Sequence, residues 1–85
     1  MKQINWAERF SLPPEALSDA PMVELRGKRS VVVENHRGVL EYTEERVRIA
    51  VRGGALCVLG SELSIAQMTR RRLDLRGVVH GLQWE

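Results

Sequence analysis

Three kinds of residue are scarce in this 85-residue chain, which has one cysteine, three prolines and four aromatic side chains. The lone Cys57 excludes an internal disulfide and fits a reducing compartment. With only Trp6, Phe10, Tyr42 and Trp84 as aromatics, the core must be built from Val, Leu and Ile. Single-stranded nucleic acid would find only Tyr42 as a stacking platform. Long apolar runs are also missing: the longest charge-free stretch is Gly53 to Ser61, far below the ~20 residues that a membrane-spanning helix needs. In "MKQINWAERF", Glu8 and Arg9 interrupt the place where a secretory leader carries its apolar segment, so a cytoplasmic protein is expected. Nor does one sign of charge dominate. Thirteen Lys and Arg against eleven Asp and Glu leave +2, well short of the single-sign field of a dedicated nucleic-acid binder.

What is present suits one small folded domain, 44% hydrophobic and 28% charged. A chain of this size buries only about 60–65% of its unfolded surface. All three prolines lie in residues 1–21, and so do the helical signals. Asn5 followed by Glu8 has the form of a capping box, and Trp6 and Phe10 fall at i and i+4. Pro13-Pro14 ends that segment, and "PPEALSD" has proline where a second short turn of helix would start. Such pieces are too short to be stable alone, so residues 1–21 are expected to form a short N-terminal helical arm that docks on the rest.

From Met22 the pattern changes to period two. In "ERVRIAVR", Val47, Ile49 and Val51 share one face and Arg46, Arg48, Ala50 and Arg52 the other. In "RRLDLRG", Leu73 and Leu75 alternate with Arg72, Asp74 and Arg76. Alternation of this kind marks half-buried strands. Turn signals recur at Gly27-Lys28, Asn35 to Gly38, Thr43 to Glu45, Gly53-Gly54, Gly60-Ser61, Thr69-Arg70 and Gly77. The expected fold is all-β, a small antiparallel β-sandwich over residues 22–85. It has about seven short strands, near 22–27, 30–35, 38–43, 46–52, 55–60, 62–68 and 72–84, the last with a break or bulge at Gly77. A β-roll or solenoid-like stack is the alternative, since the beat of eight to nine residues resembles a repeat. "SVVVE", "ALCVLG" and "GVV" are apolar on both faces, which implies either a central position or a covered second surface.

No catalytic or metal constellation stands out. Cys57 is flanked by apolar residues that raise a thiol pKa rather than lower it. His36, Cys57 and His80 lack the spacings of a zinc site, and neither a Gly-Xaa-Ser-Xaa-Gly elbow nor a phosphate-cradling glycine loop occurs. A non-enzymatic protein without cofactor or metal is expected. The arginines of "ERVRIAVR" and "RRRLDLRG" could form basic strand faces for nucleic acid. Glu41, Glu44, Glu45 and Asp74 interrupt that field, and solvent-facing arginines also discourage edge pairing.

"VVVENHRGVLEY" is the stretch that strand patterning does not exhaust. Asn35 can start a turn through its side chain, and Gly38 can take the positive φ that closes a bulged hairpin. Glu34, His36 and Arg37 have no such local reason, and polar residues on a loop between rigid strands are where recognition concentrates. Glu34, Asn35, His36, Arg37 and Gly38 are therefore the candidate partner-binding loop. Arg37 is suited to a bidentate carboxylate, and His36 is the residue type that changes charge near neutrality.

"LPPEALSDAPMVEL", "VVVENHRGVLEYTEERVRIAV", "GGALCVLGSELSI" and the closing "LRGVVHGLQW" resemble the YabP/YqfC family of sporulation proteins, most of all its YqfC branch. In that branch a Leu-Pro segment precedes an Asn-His-Arg-Gly hairpin. The resemblance runs from about Leu12 to Trp84, and its most specific part is Glu34 to Gly38 with Leu40-Glu41-Tyr42. It implies a β-sandwich made in the mother cell of an endospore-forming bacterium, non-enzymatic and needed for making the spore. It also implies a membrane-associated sporulation protein as partner, with a place at the forespore membrane through that partner and without membrane insertion of its own. Self-association into a homo-oligomer is a further expectation. The family has no established catalytic residues, so the resemblance assigns none here.

Overall fold

The structure, a computed structural model, describes residues 19–85. The helical arm expected over residues 1–21 lies, apart from its last three residues, outside the described part. From Met22 onward the chain is all β. Its strands are β1 (Met22–Arg26), β2 (Ser30–Glu34), β3 (Val39–Tyr42), β4 (Arg46–Val51), β5 (Gly54–Met68) and β6 (Arg72–Trp84). Every pairing is antiparallel and the order is β1-β2-β6-β5-β4-β3. Antiparallel neighbours exclude the solenoid-like alternative. No helix of the described residues is long and apolar enough to cross a membrane.

Six strands replace the expected seven because segments 55–60 and 62–68 run on as the single 15-residue β5. Gly60-Ser61 is not a turn but a bend, and Gly77 bends β6 beside it. The ladder between β5 and β6 shifts register at Leu59/Gly60 and Ser61/Ser64. Bulges of this kind turn a strand through a corner. At the crossing the backbones touch: a Cβ on Gly60 would meet the Val78 carbonyl oxygen. One on Gly77, which holds φ at 133°, would lie 2.5 Å from the Glu62 carbonyl oxygen.

Beyond the bends the single sheet is folded on itself into two layers. The first contains β1, β2, the start of β6 and the end of β5. There Val31 and Val33 of β2 lie opposite Leu75 and Leu73 of β6, and Ile65 lies opposite Leu75. The second contains β3, β4, the start of β5 and the end of β6, with Val47 opposite Val58 and Ile49 opposite Leu56. Val31, Val33, Leu73 and Leu75 from one layer and Val47, Ile49, Val51, Leu56 and Val58 from the other form one buried cluster, joined at the corner by Leu63. The sandwich is thus made from one sheet whose two long strands serve both layers.

Strands apolar on both faces have a local explanation. In "ALCVLG", Leu56 and Val58 enter the core, while Ala55 and Cys57 are buried on the outer face, with Arg48 and Gln83 opposite Cys57 in the ladder. Val32, buried on the outer face of β2, lies between Glu24 and Asp74. Polar or charged residues thus flank Cys57 and Val32 on that face.

Candidate functional site

The loop joining β2 to β3 crosses from one layer to the other. Asn35 takes φ at 62° and Gly38 at 114°, the conformations that Asn and Gly tolerate best. The Asn35 side chain donates from Nδ2 to the Ala20 carbonyl at 2.9 Å. Along the loop the backbone N–H groups pass from one layer to the other: Asn35 and His36 donate to the Arg71 carbonyl at 2.6 and 3.4 Å, and Arg37 to the Ala50 carbonyl at 2.7 Å. Glu34, at the strand end, accepts from Arg72 at 3.3 Å.

His36 and Arg37, adjacent in sequence, face opposite ways. His36 is buried, 6% exposed. Its Nδ1 accepts from the Gly38 N–H at 3.0 Å, so its proton sits on Nε2, which donates to the Thr69 carbonyl at 2.9 Å. Both ring nitrogens are thereby engaged with backbone, and His36 acts as a clasp between this loop and the β5–β6 turn. Arg37 points outward.

Across from Arg37 stands the β5–β6 turn, Thr69-Arg70-Arg71-Arg72. Thr69 N–H donates to the Arg72 carbonyl at 2.7 Å, and Arg72 N–H donates to Thr69 Oγ1 at 3.0 Å. Two exposed arginines therefore occupy the tip, where turn chemistry alone favours Asn and Gly. Arg37, Arg70 and Arg71 line a polar basin of about 220 Å³ together with Asn35, His36 and Asp19. None of these three arginines pairs with a carboxylate among the described residues. Three arginines and Asp19 give the basin two net positive charges.

Of the expected loop residues, the structure therefore brings Asn35, His36 and Arg37 to one basin and sets Glu34 and Gly38 at its supports. Arg70 and Arg71 belong to the same basin and were not singled out with the loop, since nothing local links residues 33 apart. One sequence signal does point to them. Thr43-Glu44-Glu45-Arg46 and Thr69-Arg70-Arg71-Arg72 share the form Thr-Xaa-Xaa-Arg, and the structure gives both the same build. Thr43 N–H donates to the Arg46 carbonyl at 2.9 Å, and Arg46 N–H donates to Thr43 Oγ1 at 2.9 Å.

The arginines expected on strand faces are mostly matched by carboxylates. Arg46 pairs with Glu41 at 2.9 Å, Arg48 with Glu85 at 2.6 Å and Arg76 with Asp74 at 3.7 Å. Arg48 engages Glu85 through Nε as well as Nη2, and these bonds hold the Glu85 carboxyl below the usual carboxylate range. Burial, aided by the charge of Glu85, pushes the Cys57 thiol up, away from the thiolate that nucleophilic chemistry needs. Among the described residues no group of three or more His, Cys, Asp or Glu side chains could hold a metal ion.

Residues 18–85 match the family model described as the YabP family. The chain is 28% identical over 75 residues to a protein of Bacillus subtilis (strain 168) called uncharacterized protein YqfC, an alignment covering 87% of this chain and 81% of that protein. No solved structure matches it.

Proposed function

The chain belongs to the YabP family, and from that membership we propose that it is a non-enzymatic sporulation protein, a small scaffold or binding module working in the mother cell during endospore formation. In this reading it stays in the cytoplasm and reaches the forespore membrane by engaging a membrane-associated sporulation protein. The observation that carries a binding role is the basin of Arg37, Arg70 and Arg71. Three guanidinium groups without carboxylate partners among the described residues stand on two turns whose backbones are fixed to each other through His36, Asn35 and the Arg71 carbonyl. Guanidinium forks are suited to carboxylate-bearing surfaces, and a backbone already held in place lowers the ordering cost of binding.

The test is the location of a fluorescent fusion in a sporulating host, with and without the membrane-associated protein. Enrichment at the forespore membrane that depends on that protein is expected, and Arg37→Ala combined with Arg70→Ala should make the signal diffuse. A diffuse signal for the unaltered chain, or one that follows the nucleoid, would overturn the reading.

A further inference from the structure

The two Thr-Xaa-Xaa-Arg turns are alike in backbone and opposite in charge. At the tip of one are Glu44 and Glu45, both exposed and neither paired with a cation among the described residues. At the tip of the other are Arg70 and Arg71. In each turn the closing arginine is already taken by a carboxylate of the neighbouring strand, Arg46 by Glu41 and Arg72 by Glu34, so neither closing residue alters the sign of its tip.

Each tip is also anchored to the strand or loop beside it. The Glu44 carbonyl accepts from Leu63 N–H at 2.8 Å and the Glu45 carbonyl from Gly60 N–H at 3.0 Å. The Arg71 carbonyl accepts from Asn35 at 2.6 Å. The acidic tip carries two negative charges, and the basin formed by Arg37, Arg70, Arg71 and Asp19 carries two net positive ones.

The two tips cannot meet within one molecule. The acidic tip is bound at the bend of β5, Gly60 to Leu63, and the basin begins at Thr69, at the far end of that strand. Leu63 and Thr69 lie six positions apart along the chain, about 20 Å at ~3.3 Å per residue. A tip that matches a basin on the same chain but cannot reach it is complementary to the basin of another copy.

We infer that this protein self-associates head to tail, the Glu44-Glu45 turn of one copy seated in the Arg37-Arg70-Arg71 basin of the next. Such a contact is heterologous: it uses two different surfaces of each copy and propagates into a row or closes into a ring. Exposed ion pairs are individually weak and screened by salt, so the association is weak in dilute solution and strengthens where copies are concentrated. In a row, the basin at one end stays open for the membrane-associated partner. The inference deepens the scaffold reading by naming an occupant of the same basin. It is tested on the purified chain alone, so its failure is separate from a failure of recruitment in the host.

Sedimentation velocity of the full chain across concentration, at low and high salt, reads the association directly. The unaltered chain should show a sedimentation coefficient that rises with concentration at low salt and loses that rise at high salt. Glu44→Arg with Glu45→Arg leaves two basic surfaces, and Arg70→Glu with Arg71→Glu leaves two acidic ones. Each variant alone should stay monomeric, and an equimolar mixture of the two should associate again, because the altered tip of the first matches the altered basin of the second. All these side chains are exposed at turn tips, and circular dichroism of each variant confirms that the fold is intact. A monomeric unaltered chain at every concentration, association that both variants retain, or variants whose mixture stays monomeric would each overturn the inference.

Discussion

The imidazole of His36 reaches across 33 residues of sequence to the Thr69 carbonyl, 2.9 Å away, while its other nitrogen takes the Gly38 N–H at 3.0 Å. One buried side chain thus ties both walls of the arginine basin, and the neighbouring Arg37 is free to face outward. His36→Ala takes from one backbone donor and one backbone acceptor their partner in a part-buried site, a loss of about 1–3 kcal/mol. Arg37→Ala removes an exposed side chain and should change stability by no more than about 0.5 kcal/mol. Urea unfolding of the two single variants separates the roles. Equal stability of both would show that the clasp contributes nothing to the fold.

Gly77 depends on a different contact. Its φ of 133° is close to glycine's alone, and a Cβ there would lie 2.5 Å from the Glu62 carbonyl oxygen and 2.9 Å from the Leu63 Cα. Backbone cannot retreat as a flexible side chain can. Gly77→Ala should cost at least ~1–3 kcal/mol from conformation alone, with the clash in addition. Gly81 lies on the same strand with open space around it, and Gly81→Ala should be nearly neutral, within about 0.5 kcal/mol. Thermal unfolding of the pair checks this, and similar melting temperatures would contradict the account of the corner.

These two cases also show what the amino-acid order discloses. Period-two patterning is a local property, and it marked the core faces of β4 and β6 correctly: Val47, Ile49, Val51, Leu73 and Leu75 are buried. The positive φ at Gly38 was legible for the same reason, since only the residue's own backbone is involved. Gly60 was not, because glycine marks turns and bends alike and only the pairing of β5 with β6 decides between them. His36 looked like a displayed residue because its partner, Thr69, becomes its neighbour only after folding. The convergence of Arg70 and Arg71 on Arg37 was hidden in the same way, although the repeated Thr-Xaa-Xaa-Arg form could have raised it.

Cys57 should behave as a packing residue. It is 4% exposed, and burial first, then the Glu85 charge, raise its thiol, so little thiolate exists at neutral pH. A disulfide-exchange reagent should react with the native chain far more slowly than with the chain in denaturant. Native-state reaction as fast as a free thiol's would show that the outer face of β5 is open.

The pairing of Arg48 with Glu85 gives stability a defined pH dependence. Hydrogen bonds from Arg48 hold the folded Glu85 carboxyl below its ordinary value, with burial partly opposing. A carboxylate depressed in the folded state contributes stability that is fully present above the unfolded carboxylate range and is lost as pH falls through the lowered folded value. Glu85→Gln should therefore lower the urea midpoint at neutral pH, and the gap to the unaltered chain should close as the solution is acidified. The pair is partly exposed, with side chains 34% and 35% accessible, so added salt should also narrow the neutral-pH gap. Glutamine keeps the size of Glu85 and its backbone bonds to Ala55, so the absence of a gap at neutral pH would mean that Glu85 acts through those rather than through its charge.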